Sequence, residues 1–201
     1  MMTKNGIIKK TAIEDFANVR RSGLAAIKLT KNDELRWVRT SSGFDEIILV
    51  TAKGQSIHFK EKDARPMGRA AGGVRGIRLK KGDEIVGMDV IKNSKLDGKN
   101  EKQELLVVMA NGYGKKTDLK QFKVQRRGGS GIKAAQVTAK TGQIVAAKIL
   151  EAGEEELIAI SQKGQVIRTS LVSISSLGRA TQGVRIMKLE EGDKVASVTC
   201  L

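Results

Sequence analysis

Two glycine-centred signatures recur four times along this chain of 201 residues, in the same order and nearly in phase. Such a period restricts the fold to an array of like units, each a small element that buries its core only by stacking on its neighbours. The first signature reads Asn5-Gly6-Ile7-Ile8-Lys9-Lys10-Thr11, then Lys53-Gly54-Gln55-Ser56-Ile57-His58-Phe59. It returns as Asn111-Gly112-Tyr113-Gly114-Lys115-Lys116-Thr117 and as Lys163-Gly164-Gln165-Val166-Ile167-Arg168-Thr169. The second reads Ser22-Gly23-Leu24, Gly72-Gly73-Val74, Ser130-Gly131-Ile132 and Gln182-Gly183-Val184. Gly23, Gly73, Gly131 and Gly183 stand 50, 58 and 52 residues apart, and a further turn follows each, at Asp33, Asp83, Thr141 and Asp193.

Between these landmarks the segments are short and rich in β-formers. Asn-Gly and Lys-Gly pairs flanked by apolar residues predict two-residue hairpin turns. Ile47-Ile48-Leu49-Val50, Leu105-Leu106-Val107-Val108 and Leu157-Ile158-Ala159-Ile160 are apolar runs of strand length, which suit strands covered on both faces. Ile27-Lys28-Leu29, Ile77-Arg78-Leu79 and Met187-Lys188-Leu189 alternate, and predict strands whose basic side chains leave the core. Thr11 to Phe16 and Thr169 to Ser175 each have room for one helical turn. Pro66 falls in a connection, and Lys92 to Glu104 reads as an inserted surface loop. Together these features predict an all-β, propeller-like array of about four repeated four-stranded blades. It forms one domain over residues 1–201, with units at roughly 1–44, 45–102, 103–154 and 155–201. The first unit lacks an apolar strand ahead of Asn5, and the last stops after Val195-Ala196-Ser197-Val198. Strands donated between units, or further chain ahead of Met1, are expected to complete them.

Lys and Arg outnumber Asp and Glu by 37 to 22, and a net charge of +15 calls for a polyanionic partner. No apolar run approaches the ~20 residues that span a bilayer, so a membrane partner is not expected. The first residues carry no export signal, and the lone Cys200 excludes an internal disulfide, so a cytoplasmic setting is expected. Four Phe, one Trp and one Tyr are too few stacking platforms for a single-strand binder. One His and one Cys leave no zinc site, and no other metal or cofactor is expected. Neither a phosphate-binding Walker loop nor a Ser/His/Asp set is present. Tyr113 lies in a glycine-flanked turn without the groups a tyrosine nucleophile needs. Asp33-Glu34 and Asp83-Glu84 read as turn formers, and Trp37 as packing.

Aligning the units turns the bulk charge into columns. Four residues after the first glycine stand Lys10, His58, Lys116 and Arg168; His58 is read as near phosphate. Four residues before the second glycine stand Arg69, Arg127 and Arg179, with Val19 in the first unit and Arg20 next to it. The alternating segment adds Lys28, Arg78 and Lys188, with Gln136 in the third unit. One cation at an equivalent place in every blade makes a basic band. Such a band suits the phosphates of duplex DNA, read with little sequence preference because no recognition helix is in view. The strongest single stretch is Gln125-Arg126-Arg127-Gly128-Gly129-Ser130-Gly131. Its guanidiniums suit phosphate oxygens, and Gly128, Gly129 and Gly131 allow close approach to the backbone. A propeller-type protein-interaction scaffold is the competing class.

That heptad, with residues 111–117, 73–79 and 178–184, resembles the C-terminal DNA-wrapping domain of DNA gyrase A. The family's box is Gln-Arg-Arg-Gly-Gly-Lys-Gly in the first of six blades. Here Ser130 takes the sixth place and the heptad lies in the third of four units, which marks it as a later, degenerate copy. The resemblance implies a β-pinwheel, a disc whose blades exchange strands and whose basic rim wraps double-stranded DNA. It also implies as partners the rest of gyrase A together with gyrase B, in an ATP-dependent bacterial type II topoisomerase of the nucleoid. The catalytic tyrosine and the ATPase would lie outside this chain. The equivalent domain of topoisomerase IV is the alternative within the family.

Overall fold

The structure is a computed structural model, and it describes residues 1–92 and 103–201. The loop expected from Lys92 to Glu104 falls for the most part on residues 93–102, outside the described residues.

In chain order the strands are β1 (Met2–Thr3), β2 (Ile7–Ile8), β3 (Leu35–Trp37), β4 (Glu46–Thr51), β5 (Gln55–Lys60) and β6 (Val74–Arg75). They continue with β7 (Ile85–Ile91), β8 (Glu104–Met109), β9 (Tyr113–Asp118), β10 (Val124–Gln125) and β11 (Ile132–Lys133). The last are β12 (Ile144–Ile149), β13 (Glu156–Ser161), β14 (Val166–Ser170), β15 (Val184–Arg185) and β16 (Val195–Cys200). The helical elements described are single 3-10 turns, at Ile13–Phe16, Glu61–Asp63, Leu119–Gln121 and Leu171–Ser173. The sequence suggests the first and last of these, but not the middle two.

Each unit opens with a hairpin, but the tip is not the two-residue turn expected. Gly54 N–H closes onto the carbonyl of Thr51, as Gly112 does onto Met109, and both glycines sit in the left-handed region. That is a three-residue loop, a tight turn followed by a left-handed residue. The Asp83 carboxylate then ties the tip down, accepting from Lys53 N–H at 3.0 Å, Glu84 N–H at 2.9 Å and the Thr51 hydroxyl at 2.8 Å. Asp33 and Asp193 do the same for Asn5 and Lys163, so these aspartates are turn formers.

The strands fall into sheets of four, five, four and three, in the orders β3-β1-β2-β6, β10-β5-β4-β7 with β11 also on β5, β12-β8-β9-β15, and β14-β13-β16. Each of the first three combines strands of one unit with an outer strand from the next. Thus Val74 pairs with Ile8, Ile132 with Ser56 and Val184 with Gly114. The fourth sheet receives no such strand from the described residues, and so holds three strands where four were expected. The predicted alternating strands are a correction of the same kind. Their in-and-out burial holds, with Ile77 buried and Arg78 exposed, yet residues 77–79 and 187–189 join no sheet. The donated ladder is confined to two residues just upstream.

Alternation along the central strands divides the core into layers between sheets. On β4, Ile47 and Leu49 pack with Met2, Ile8 and Ile57, whereas Ile48 and Val50 face Leu105, Val107 and Ile144. On β8, Leu105 and Val107 belong to that second layer, and Leu106 and Val108 turn to Leu157, Ala159 and Met187. These runs are apolar throughout because each face meets a different neighbouring sheet. β13 shows the limit: Leu157 and Ala159 are fully buried while Ile160 is 40% exposed, with no sheet on its far side among the described residues.

Candidate nucleic-acid interface

The charged edge is built where one unit's outer strand crosses into the sheet before it. At Gly131 the backbone has φ +72°, and a Cβ would lie 2.2 Å from the Ser56 carbonyl oxygen of the receiving strand. Gly73 and Gly183 approach Ile8 and Gly114 in the same way, which is the steric reason the second signature centres on glycine. A loop carrying arginine precedes each crossing.

Three equivalent hydrogen bonds fix that loop to the previous unit. Lys28 N–H donates to Ala71 O at 3.2 Å, Arg78 N–H to Gly129 O at 2.8 Å, and Gln136 N–H to Thr181 O at 2.9 Å. The alternating-segment column of one unit is thereby brought against the arginine loop of the next. Lys28, Arg78, Gln136 and Lys188 are all exposed. The arginines beside them are tethered. Arg127 donates through Nε to Asp63 O at 3.0 Å and through Nη1 to Arg75 O at 2.6 Å. Arg179 Nη1 donates to Lys133 O, the equivalent carbonyl, at 2.7 Å. Arg126 is exposed, Arg69 is half-buried, and a groove of 820 Å³ separates the Arg69 loop from residues 18–25, which carry the exposed Arg20. Gly128 N–H donates to Gly76 O at 2.7 Å. Gln125, on β10, buries an amide nitrogen that has no hydrogen-bond partner among the described residues.

The column after the hairpin glycine lies elsewhere in the bonding pattern. Each of its members meets a carboxylate: Lys10 meets Glu61 at 3.3 Å, Lys116 meets Glu104 at 3.8 Å, and Arg168 meets Glu156. His58 lies between Glu46 Oε2 and Phe122 O, both 2.7 Å from its ring nitrogens. His58 is also 7% exposed, which makes it a buried pin rather than the phosphate neighbour its column suggests.

Two sets of residues escaped the sequence reading. Arg75, Lys133 and Arg185 are equivalent positions on the donated strands, and all are exposed. Arg185 also donates to the Tyr113 hydroxyl at 3.1 Å and helps hold that phenol below its usual range. The other set is buried. Lys9 is 1% exposed and Lys115 0%. Their ammonium groups reach the carbonyls of Arg69 and Arg179 on the arriving loops. The aligned position is Ile57 and Ile167 in the other units, a sign that this column points inward. Burial, with Arg179 alongside, lowers Lys115 to about 8. Among the described residues no group of His, Cys, Asp and Glu could hold a metal ion, and no helix is long and apolar enough to cross a membrane.

The sequence matches the family described as the DNA gyrase C-terminal domain, β-propeller, over residues 1–42, 45–92, 103–151 and 155–201. DNA gyrase A of Staphylococcus epidermidis is 41% identical over 196 residues, covering 98% of this chain and 21% of that protein. Its Staphylococcus aureus counterpart is 40% identical over the same length and share. The chain therefore spans about a fifth of the curated relatives it matches. A solved DNA gyrase A C-terminal domain superposes with TM-score 0.83 at 26% identity, over 99% of this chain and 64% of that one. A solved C-terminal domain of DNA topoisomerase IV superposes with TM-score 0.89 at 26% identity, over 100% and 60%.

Proposed function

The chain belongs to the DNA gyrase C-terminal domain, β-propeller family, and from that membership we propose that it is a non-catalytic module that binds duplex DNA by its phosphates and bends it along its edge. The observation that carries this reading is the repeated junction. Lys28 and Arg78 are held against the arginine loops of the following units by equivalent backbone bonds, so basic pairs recur at the spacing of the sheets. Repetition without a base-reading element suits a backbone that is itself periodic, and each phosphate contact releases counterions. Bending a duplex by 40–90° costs of order 1–6 kcal/mol, which a series of such contacts offsets. Within a bacterial gyrase, the module would act with the rest of gyrase A and with gyrase B, presenting wrapped DNA for supercoiling. Assignment to gyrase rather than topoisomerase IV rests on the 41% identity to a gyrase A protein.

The test is a salt series of binding to duplexes of about 20 and about 150 base pairs, because contact with ~8 phosphates loses about 10⁴ in affinity between 50 and 200 mM salt. A steep slope with much tighter binding to the long duplex is expected. Equal affinity per site would leave a basic patch without bending. No binding at 50 mM salt would overturn the DNA reading in favour of a protein-binding scaffold.

A further inference from the structure

The unused feature with the most chemistry in it is the pair of buried lysines. Lys115, on β9, has its ammonium 2.6 Å from Gly178 O, 2.6 Å from Arg179 O and 3.2 Å from the Thr181 hydroxyl. Its three N–H groups thus meet three neutral oxygens, all on the loop that carries Arg179. Lys9, just after β2, makes a related arrangement two junctions earlier, bonded to Arg69 O on the arriving loop and, at 2.7 Å, to Ala26 O of its own unit. At the middle junction the same place is filled by Ile57, whose methyl group lies under Gly129 instead.

A neutral isostere would fill this space without the desolvation a buried ammonium pays. What the charge adds is a field. It sits behind the backbone of a loop whose outer face offers a guanidinium, in low dielectric, where its effect on an approaching anion is least screened. On the reading above, that anion is a DNA phosphate, and the present inference rests on that reading. We propose that Lys9 and Lys115 are positioning residues for DNA: each anchors one arginine loop and places a second positive charge beneath it, so that a phosphate diester bound there holds the buried proton in place. The outer two junctions are thereby charged from within, and the middle one has only the surface cations Arg78, Arg126 and Arg127.

Linkage makes this distinguishable from a purely structural role. Burial, and next the Arg179 guanidinium, lower Lys115 to about 8, and a phosphate above Arg179 opposes both. For Lys9 burial also dominates, with Asp15 opposing it. Binding therefore favours the protonated form, and affinity falls as pH rises through about 8.

The experiment compares the chain with its Lys115→Met variant on a 150-base-pair duplex between pH 7 and 9.5, with thermal melting as the check on folding. Lys115→Met is expected to melt cooperatively, to bind about fivefold more weakly at pH 7, and to lose much of the decline in affinity above pH 8. Wild-type affinity together with a wild-type pH profile would overturn the inference. Should the variant fail to fold, the Cε resonance of Lys115 in the wild-type chain decides: its titration midpoint rises when DNA is added, and an unmoved midpoint overturns the proposal. Failure of the wild-type chain to bind DNA at 50 mM salt would bring down the functional reading itself. Binding with an unaltered variant would bring down this inference alone.

Discussion

Arg78 donates its backbone N–H to the carbonyl of Gly129 at 2.8 Å, so a cation of the second unit stands against the Gly-rich arginine loop of the third. The bond belongs to the backbone, and the Arg78 side chain is left exposed.

Replacing Arg78 or Arg126 by alanine should therefore alter binding and not folding. Each variant is expected to weaken affinity uniformly across DNA sequences and to lower the log–log salt slope by about 1. Melting should stay within about 0.5 kcal/mol of wild type. Arg168→Ala, whose guanidinium is paired with Glu156, should change the slope less. An equal loss would show that the post-hairpin column also reaches phosphate.

Gly131→Ala should damage the junction itself. A left-handed non-glycine residue costs of order 1–3 kcal/mol, and the new Cβ also collides with the Ser56 carbonyl. Gly164→Ala at φ +87° meets no atom within 4 Å, and should show only the conformational part. Thermal denaturation of the two variants checks the difference. Equal losses would mean that the crossing relaxes freely.

Asp83→Ala removes the acceptor for two backbone N–H groups and the Thr51 hydroxyl. Leaving such donors unpaired costs about 1–3 kcal/mol. Urea denaturation should register that loss, and a neutral result would show that water replaces the carboxylate.

These three sites also mark what the sequence discloses. The hairpin glycines, the crossing glycines and the turn aspartates are local requirements of backbone shape, so they repeat visibly. The runs at Ile47 and Leu105 disclose strands covered on both faces for a different reason: each face meets its own neighbouring sheet, so every position is apolar. The donated strands are hidden because Val74-Arg75 and Val184-Arg185 gain their pairing from partners dozens of residues away. The burial of Lys9 and Lys115 is masked by the adjacent Lys10 and Lys116. On a strand, neighbours point to opposite faces, so of two consecutive lysines one turned inward. The isoleucines in that column of the other units were the available clue.

Stability should also depend on pH through Lys115. Its folded-state value of about 8 lies below the ordinary 10.5, so the unfolded chain holds the proton more tightly. Between about 8 and 10.5 the unfolded state binds more protons, and stability rises with pH. This contribution is in place above 10.5 and is lost as pH falls through 8. The wild-type curve minus that of Lys115→Met should show the rise. A flat difference would place the ammonium in water.

Leu106→Ala should cost about 2–5 kcal/mol, as expected for a buried leucine with little room to collapse. Ile160→Ala, on the uncovered face of β13, should cost far less. Chemical denaturation ranks the two, and the reverse order would mean that the last sheet has a cover.

The crossing glycines also describe how the chain could grow. Gly23 and Gly164 are, respectively, a crossing glycine and a hairpin glycine whose added Cβ would meet nothing within 4 Å. Among the described residues, one is a hook without an eye, the other an eye without a hook. Each coupling joins the crossing glycine of one unit to the hairpin of the unit before it, so a whole unit carries both halves of a coupling. Duplicating or deleting a whole unit would leave the remaining couplings intact and, on the proposed reading, change the number of DNA-facing junctions by one. On the proposed reading, the span of DNA contacted would then change in whole-unit steps, with no residue redesigned.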